Sequence, residues 1–123
     1  MNNIKLENKN SVQHLTSDKS ISHLHILKTL LKNHLISILP EKGHSLHQVA
    51  SYHFKDFGKM LRGTTSLAIA SAIELNEDAA INWALSVELM HNASLVHDDV
   101  CDEDSQRRHN PTIFANFGAP LAI

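Results

Sequence analysis

Apolar residues along most of this chain recur at three- and four-residue steps and no segment alternates with period two, a pattern that predicts an all-α protein. Ile21, Leu24, Leu27, Leu31, Leu35 and Ile38 form one stripe from about Ser20 to Leu39, and Pro40 ends this first amphipathic helix. Ser45 and Gln48 make a capping-box pattern ahead of Leu46, Val49, Ala50, His53, Phe54 and Phe57, a second helix that Gly58 interrupts. A third is expected from about Leu61 to Leu75, where Ala68, Ala70, Ser71 and Ala72 allow a neighbour to approach closely, with a polar turn at Asn76-Glu77-Asp78. The fourth, from about Ala79 to Cys101, is apolar on most sides between Trp83 and Val96, as a buried helix is. A loop through Asn110-Pro111 leads to a short amphipathic stretch from Thr112 to Phe117, broken at Gly118-Ala119-Pro120. About five helices and no β-sheet are therefore expected.

Residues 1–18 are rich in Asn, Lys and Ser with only isolated apolar positions, so a flexible tail is expected there and a helical domain over 19–123. That domain stops at Leu121-Ala122-Ile123 without a capping signal while its apolar faces still call for partners, so it reads as the front portion of something longer. With 123 residues and 42% hydrophobic content the chain supports one domain rather than two. A net charge of −2 supplies no field for nucleic acid or an anionic membrane, and no apolar run is long enough to span a bilayer. The start lacks a signal peptide's hydrophobic region, and the single Cys101 excludes an internal disulfide or a cysteine zinc cluster; both fit a reducing cytoplasm. Of the ten histidines, eight are scattered without acidic or cysteine partners at ligand spacing and read as surface or packing residues. His91 and His97 lie on the fourth helix.

Charge changes the picture over residues 97–108, where five carboxylates and two guanidiniums directly follow the apolar helix. On a helix Asp98 and Asp102 are one turn apart on one face, and Asp99 neighbours Asp102 at the three-residue spacing. Carboxylates this close repel one another unless a cation sits among them. Magnesium suits them, because it takes oxygen ligands, keeps several waters and binds one or two carboxylates together with substrate phosphates. Arg107 and Arg108 suit the phosphate oxygens of the same ligand, since guanidinium donates bidentate, charge-assisted hydrogen bonds. A solvated acidic helix end is the plainer alternative for such a run, but the apolar helix before it favours a cavity. Gly58-Lys59-Met60-Leu61-Arg62-Gly63 then sets two cations three residues apart at a helix start, where backbone N–H groups also favour an anion. By itself that spacing is more often a solvated face. Coupled to the acidic cluster it suggests a pocket for two phosphate groups, one half magnesium-dependent and one half built from cations alone.

The chain resembles the trans-type polyprenyl diphosphate synthases, the farnesyl and geranylgeranyl diphosphate synthases and their relatives. Ser94 to Asp102 is similar to their first aspartate-rich motif, Arg107-Arg108 with Pro111-Thr112 and Phe117-Gly118 continues it, and Glu88-Leu89-Met90-His91 matches the stretch upstream, over about residues 45–123. The resemblance implies the N-terminal part of an isoprenoid-synthase-type helical bundle and a head-to-tail condensation, in which an allylic diphosphate ionises with magnesium and isopentenyl diphosphate attacks. It implies that Asp98 and Asp102 bind Mg2+ with Asp99 supporting, that Arg107 holds the allylic diphosphate, and that Gly58, Lys59, Arg62, His91 and Arg108 hold isopentenyl diphosphate. His97 reads as structural. The family's Gly-Gly-Lys-Arg-Leu-Arg-Pro motif is altered here, with Phe57 for the first glycine, Met60 for the middle arginine and Gly63 for the proline.

Helical rise places Ala93 and Ser94 about one turn, roughly 5 Å, below Asp98. Neither is bulky, so elongation past farnesyl is open, and Met90, Val87 and Trp83 lie successively deeper as a floor for geranylgeranyl or a longer product. The family's second aspartate-rich motif does not occur before Ile123, so the chain alone is expected to be inactive. Family members pair as homodimers, and a non-catalytic subunit that packs against a full-length synthase is the alternative function. A third possibility, an HD-type metal phosphohydrolase built on His91 and His97-Asp98, leaves Lys59, Arg62 and the Arg107-Arg108 pair without a role.

Overall fold

The computed structural model describes the backbone of residues 4–123 and the side chains from Ile21 onward. Six helices and one two-stranded ribbon follow in order: α1 (Ile4–Ile38), α2 (His47–His53), α3 (Leu61–Ala72), α4 (Glu77–Cys101), β1 (Gln106–Arg107), β2 (Asn110–Pro111), α5 (Ile113–Phe117) and α6 (Ala119–Ala122). The protein is all-α, as the apolar spacing predicts, with one small addition. The ribbon replaces the loop expected at Asn110-Pro111: β1 and β2 pair antiparallel with Gln106 opposite Pro111 and Arg107 opposite Asn110. Its two turn residues, Arg108 and His109, both have positive φ, 51° and 67°. Left-handed pairs of this kind close two-residue hairpins and are usually Asn-Gly or Asp-Gly, which is why no turn signal is visible in the sequence. The helical backbone of α1 begins well before the Ser20 start expected for it, while the side chains of residues 1–20, and with them the expectation of a flexible tail over 1–18, lie outside the described residues.

Helix α1 contributes Leu27, Leu31 and Leu35 to the core, one stripe at four-residue steps, while Ile21, Leu24 and Ile38 on either side of it are exposed. These leucines pack on Met60, Leu67 and Ala70 from α3 and its N-terminus, and on Ala80, Ile81, Ala84 and Leu85 of α4. Helices α3 and α4 are joined by residues 73–76, and the start of α3 lies beside Ala84 and Glu88, so the two run antiparallel. The close approach depends on Gly63, where a Cβ would sit 2.5 Å from Leu31 Cδ2 and 3.0 Å from the Ala84 carbonyl. Of the small residues expected to line this contact, Ala70 is buried and Ala68 packs at the edge of the core, whereas Ser71 and Ala72 are exposed.

Two local expectations are corrected. The second helix lacks its capping box: Leu46 is the N-cap with no side-chain bond, and its N–H donates instead to His44 Nδ1. Asn76 is not a turn residue but the N-cap of α4, its Oδ1 accepting from Ala79 N at 3.2 Å, with Glu77 and Asp78 in the first turn where acidic groups suit the helix dipole. Helix α4 is also less enclosed than its composition suggests. Its buried face holds Ala80, Ala84, Glu88 and Asp99, but Trp83 is 63% and Met90 72% exposed, because no described element covers that side.

Candidate active site

Three cavities meet along α4 between the hairpin, the loop before α3, and helices α2 and α6. The first, about 460 Å³, lies under residues 56–62 and is lined by Gly58, Lys59, Arg62, His91 and Arg108, so all five residues proposed for isopentenyl diphosphate share one cleft. Gly58 has φ +60°, which favours glycine, and a Cβ there would push the Arg108 guanidinium aside from its close approach. The loop is held from both sides: Gly58 N donates to Asp56 Oδ1 at 2.8 Å, and Lys28 Nζ donates to Gly58 O at 3.1 Å. Asp56 also stands 3.9 Å from Arg108 Nη1. Arg62 Nη1 donates to His91 Nε2 at 3.0 Å, which makes that ring nitrogen an acceptor.

The departures from the family motif have clear physical consequences. Phe57 stacks near Phe54 and carries Lys32 Nζ 4.7 Å above its ring, so the bulk that replaces a glycine is absorbed by packing. Met60, at φ 50°, turns its side chain into the core at 3% exposure rather than presenting a cation to the cleft. The left-handed backbone costs about 1–2 kcal/mol, and burying the side chain, worth about 1.5–3 kcal/mol, offsets it. Gly63 keeps an N–H that proline would lack, and that N–H donates to Glu88 Oε2 at 2.8 Å.

At the C-terminal end of α4 the three aspartates separate. Asp98 is exposed, and Asp102, the C-cap, continues the helical pattern through its N–H to Asp98 O at 2.9 Å, so both stay one turn apart and open to solvent. Asp99 turns inward to 3% exposure and is gripped by Arg107: Nε lies 2.9 and 3.1 Å from its two oxygens, and Nη2 2.7 Å from Oδ1. The Asp99 hydrogen bonds hold the Arg107 guanidinium above its ordinary pKa despite some loss of water, with help from the charges of Asp99, Asp104 and Asp98. Asp99 is thus committed to Arg107 and is not positioned as a third cation ligand. Arg107 keeps Nη1 as the nitrogen outside this grip. Both line a second cleft, about 240 Å³, with Arg108, Asn92 and Tyr52. The Tyr52 hydroxyl donates to Pro111 O at 2.8 Å and anchors the hairpin that carries both arginines.

Among the described residues no three Asp, Glu, His or Cys groups gather closely enough to enclose a metal ion. The exposed pair Asp98 and Asp102 nonetheless fits magnesium, which needs one or two carboxylates when phosphates and waters complete its shell. The histidines do not join them. His91 lines the cation cleft, whereas His97 lies 3.6 Å from Cys101 Sγ and lines the apolar groove with Asp98.

The third cavity is an apolar groove of about 630 Å³ between α2, α4 and α6. Met90, Ala93, Ser94 and Asp98 line it together with Phe54 and Leu121. Trp83 and Val87, expected as its deeper floor, are not among its lining residues: the groove follows α4 from Asp98 to Leu89 and no further.

Sequence reasoning missed Lys28 and Asp56, read His53 only as a packing residue, and gave Glu88 and Asn92 no role. For Glu88 a signal existed, since an acidic residue inside an apolar helix needs a buried partner; Lys28 and Asp56 carry none, because their contacts depend on how α1 and the loop pack.

The chain matches the Polyprenyl synthetase family over residues 44–123. It is 41% identical over 78 residues to a geranylgeranyl pyrophosphate synthase of Geoglobus acetivorans, covering 63% of this chain and 24% of that protein. To a (2E,6E)-farnesyl diphosphate synthase of Mycobacterium bovis it is 38% identical over 89 residues, covering 63% of this chain and 25% of the relative. The solved structure of geranylgeranyl pyrophosphate synthetase from Geoglobus acetivorans superposes with a TM-score of 0.68 at 35% identity, over 76% of this chain and 31% of that one. The chain therefore spans about a quarter of the length of the curated relatives it matches. Extended likeness in both sequence and helix arrangement, running through the cation loop and the acidic end of α4, establishes that this chain belongs to the polyprenyl synthetase family.

Proposed function

We propose that the chain supplies the substrate-gathering half of a polyprenyl diphosphate synthase, which joins isopentenyl diphosphate head-to-tail to an allylic diphosphate. The observation that carries this reading is the arrangement along α4: Gly58, Lys59, Arg62, His91 and Arg108 share one cleft, while Asp98 lines an apolar groove. Lys59, Arg62, His91 and Arg108 would hold the isopentenyl diphosphate head by charge-assisted hydrogen bonds, with Gly58 giving them room. Asp98 and Asp102 would hold magnesium and Arg107 Nη1 the allylic diphosphate. Bound there, magnesium would stabilise charge developing on the leaving diphosphate. Asp99 acts through Arg107, whose guanidinium it orients.

Ala93 and Ser94, both small, leave the groove open next to Asp98, which favours geranylgeranyl or longer products. Replacing Ala93 with Tyr in a complete enzyme is expected to shorten the product. Exposed Ile69, Ile73, Trp83 and Met90 offer apolar area for a homodimer or for a related synthase subunit. The single, exposed Cys101 is compatible with a cytoplasmic setting, and among the described residues no helix is long and apolar enough to cross a membrane.

Product formation from labelled isopentenyl diphosphate, farnesyl diphosphate and magnesium tests the reading. The chain alone is expected to bind both substrates without elongating either, and a fusion to the remaining helices of a relative is expected to elongate. Failure of the chain to bind diphosphate, or phosphate release from a monoester without isopentenyl diphosphate, would overturn it.

A further inference from the structure

Asn92 is common to all three cavities: it lines the cleft under Gly58, the cleft beside Asp99 and Arg107, and the apolar groove. His53 lines the last two of these, and Asp56 and Arg108 the first two. A single side chain at this junction stands where two ligands with separately held diphosphates and apolar tails must bring their reacting ends together.

Its amide is held from both sides. Asn92 Nδ2 donates to Glu88 O at 2.8 Å and faces Glu88 Oε1 at 3.4 Å, while Oδ1 accepts from His53 Nε2 at 2.9 Å. Glu88, 3% exposed, uses its other oxygen for Gly63 N. A continuous polar chain thus runs from the first turn of α3, through Glu88 and Asn92 on α4, to His53 at the end of α2. Helix α4 walls all three cavities, α3 the cleft under Gly58, and α2 the other two. Glu88 is buried and Asn92 and His53 half-buried, and a polar chain with its members paired holds its elements in one arrangement.

We propose that Asn92 is a positioning residue which, tied to Glu88 and His53, fixes the cation cleft and the apolar groove relative to each other at the point where the two substrates meet. The proposal rests on the functional reading above and adds a residue and a connection to it. Because the same amide borders both sites, occupation of one should be felt at the other, a coupling that typically amounts to roughly 5-fold or more in affinity.

The test is an NMR titration of the labelled 123-residue chain with two probes, magnesium diphosphate and the uncharged prenyl alcohol farnesol. The Asn92 side-chain amide is expected to shift with each probe, Lys59 with diphosphate only and the Ala93 methyl with farnesol only. Saturating diphosphate should also change the farnesol Kd at least about 5-fold, and Asn92→Ala, shown by its spectrum to be folded, should abolish that linkage. If Lys59 and Ala93 respond but Asn92 follows one probe or neither, the proposal is overturned. If Lys59 and Ala93 are both silent, the cleft assignment itself fails and takes the proposal with it. Should Asn92→Ala not fold, the titration of the unaltered chain decides.

Discussion

In the cleft under Gly58 the protein has already arranged its cations. Arg62 rests on His91, Arg108 lies against Gly58 beside Asp56, and Lys28 holds the loop carbonyl. Seven residues beyond His91, at the end of α4, Asp98 and Asp102 stand in solvent with no hydrogen bond or ion pair from their side chains among the described residues, and only Asp99 is fixed, by Arg107. The first region can receive an anion as it stands. The second presents two like charges a turn apart, which repel until a cation arrives. The difference predicts that one diphosphate site is insensitive to metal and the other depends on it.

The sharpest way to break this contrast is to remove the open carboxylates. Asp98→Ala with Asp102→Ala should weaken magnesium-dependent diphosphate binding by at least about 100-fold, since loss even of outer-shell metal partners costs roughly 10- to 100-fold, while leaving metal-free binding and thermal stability near their starting values. Asp99→Ala should lower stability as well as binding. It strands Arg107 beside a buried gap and should cost about 2 kcal/mol of unfolding free energy in urea, less than the roughly 3–5 kcal/mol of a fully buried pair because Arg107 is a third exposed. Equal destabilisation by Asp98→Ala and Asp99→Ala would show that the inward turn of Asp99 does not matter.

On the cation side, Arg62→Ala should weaken diphosphate binding roughly tenfold, near the low end of a charge-assisted hydrogen bond, with the same factor in magnesium and in a chelator. A smaller change of opposite sign is expected from Asp56→Asn. Asparagine keeps the oxygen that accepts from Gly58 N but removes the negative charge beside Arg108, so diphosphate affinity should rise about twofold, as for an exposed pair. Weaker binding in Asp56→Asn would mean that the Asp56 charge orients Arg108 instead of competing for it.

How far the chain could be read without coordinates follows the range over which each feature is decided. The four longer helices are written in local apolar spacing, and the shared cleft of Lys59, Arg62, His91 and Arg108 followed from motif likeness. Residues 106–111 were not legible, because Arg108 and His109 adopt positive φ against their own preference and the hairpin is held by Tyr52, more than fifty positions away. The direction of Asp99 was equally hidden: residues 98 and 99 differ by one step on the helix, and only the folding back of Arg107 decides which one is buried. The expectation that α4 is enclosed failed because apolar composition says what a face can bury, not what covers it, and Trp83 and Met90 face no described element. The polar chain through Glu88, Asn92 and His53 joins three helices, and only Glu88, acidic within an apolar helix, carries a local signal of it.

Calorimetric titration of the chain with inorganic diphosphate, in magnesium and then in excess chelator, tests the central claim most directly. Two binding events in magnesium are expected, of which one persists in chelator and is weakened by Arg62→Ala while the other disappears. A single event in magnesium, or two that both survive or both vanish with the metal, would contradict the division between a finished cation cleft and a carboxylate pair that requires magnesium.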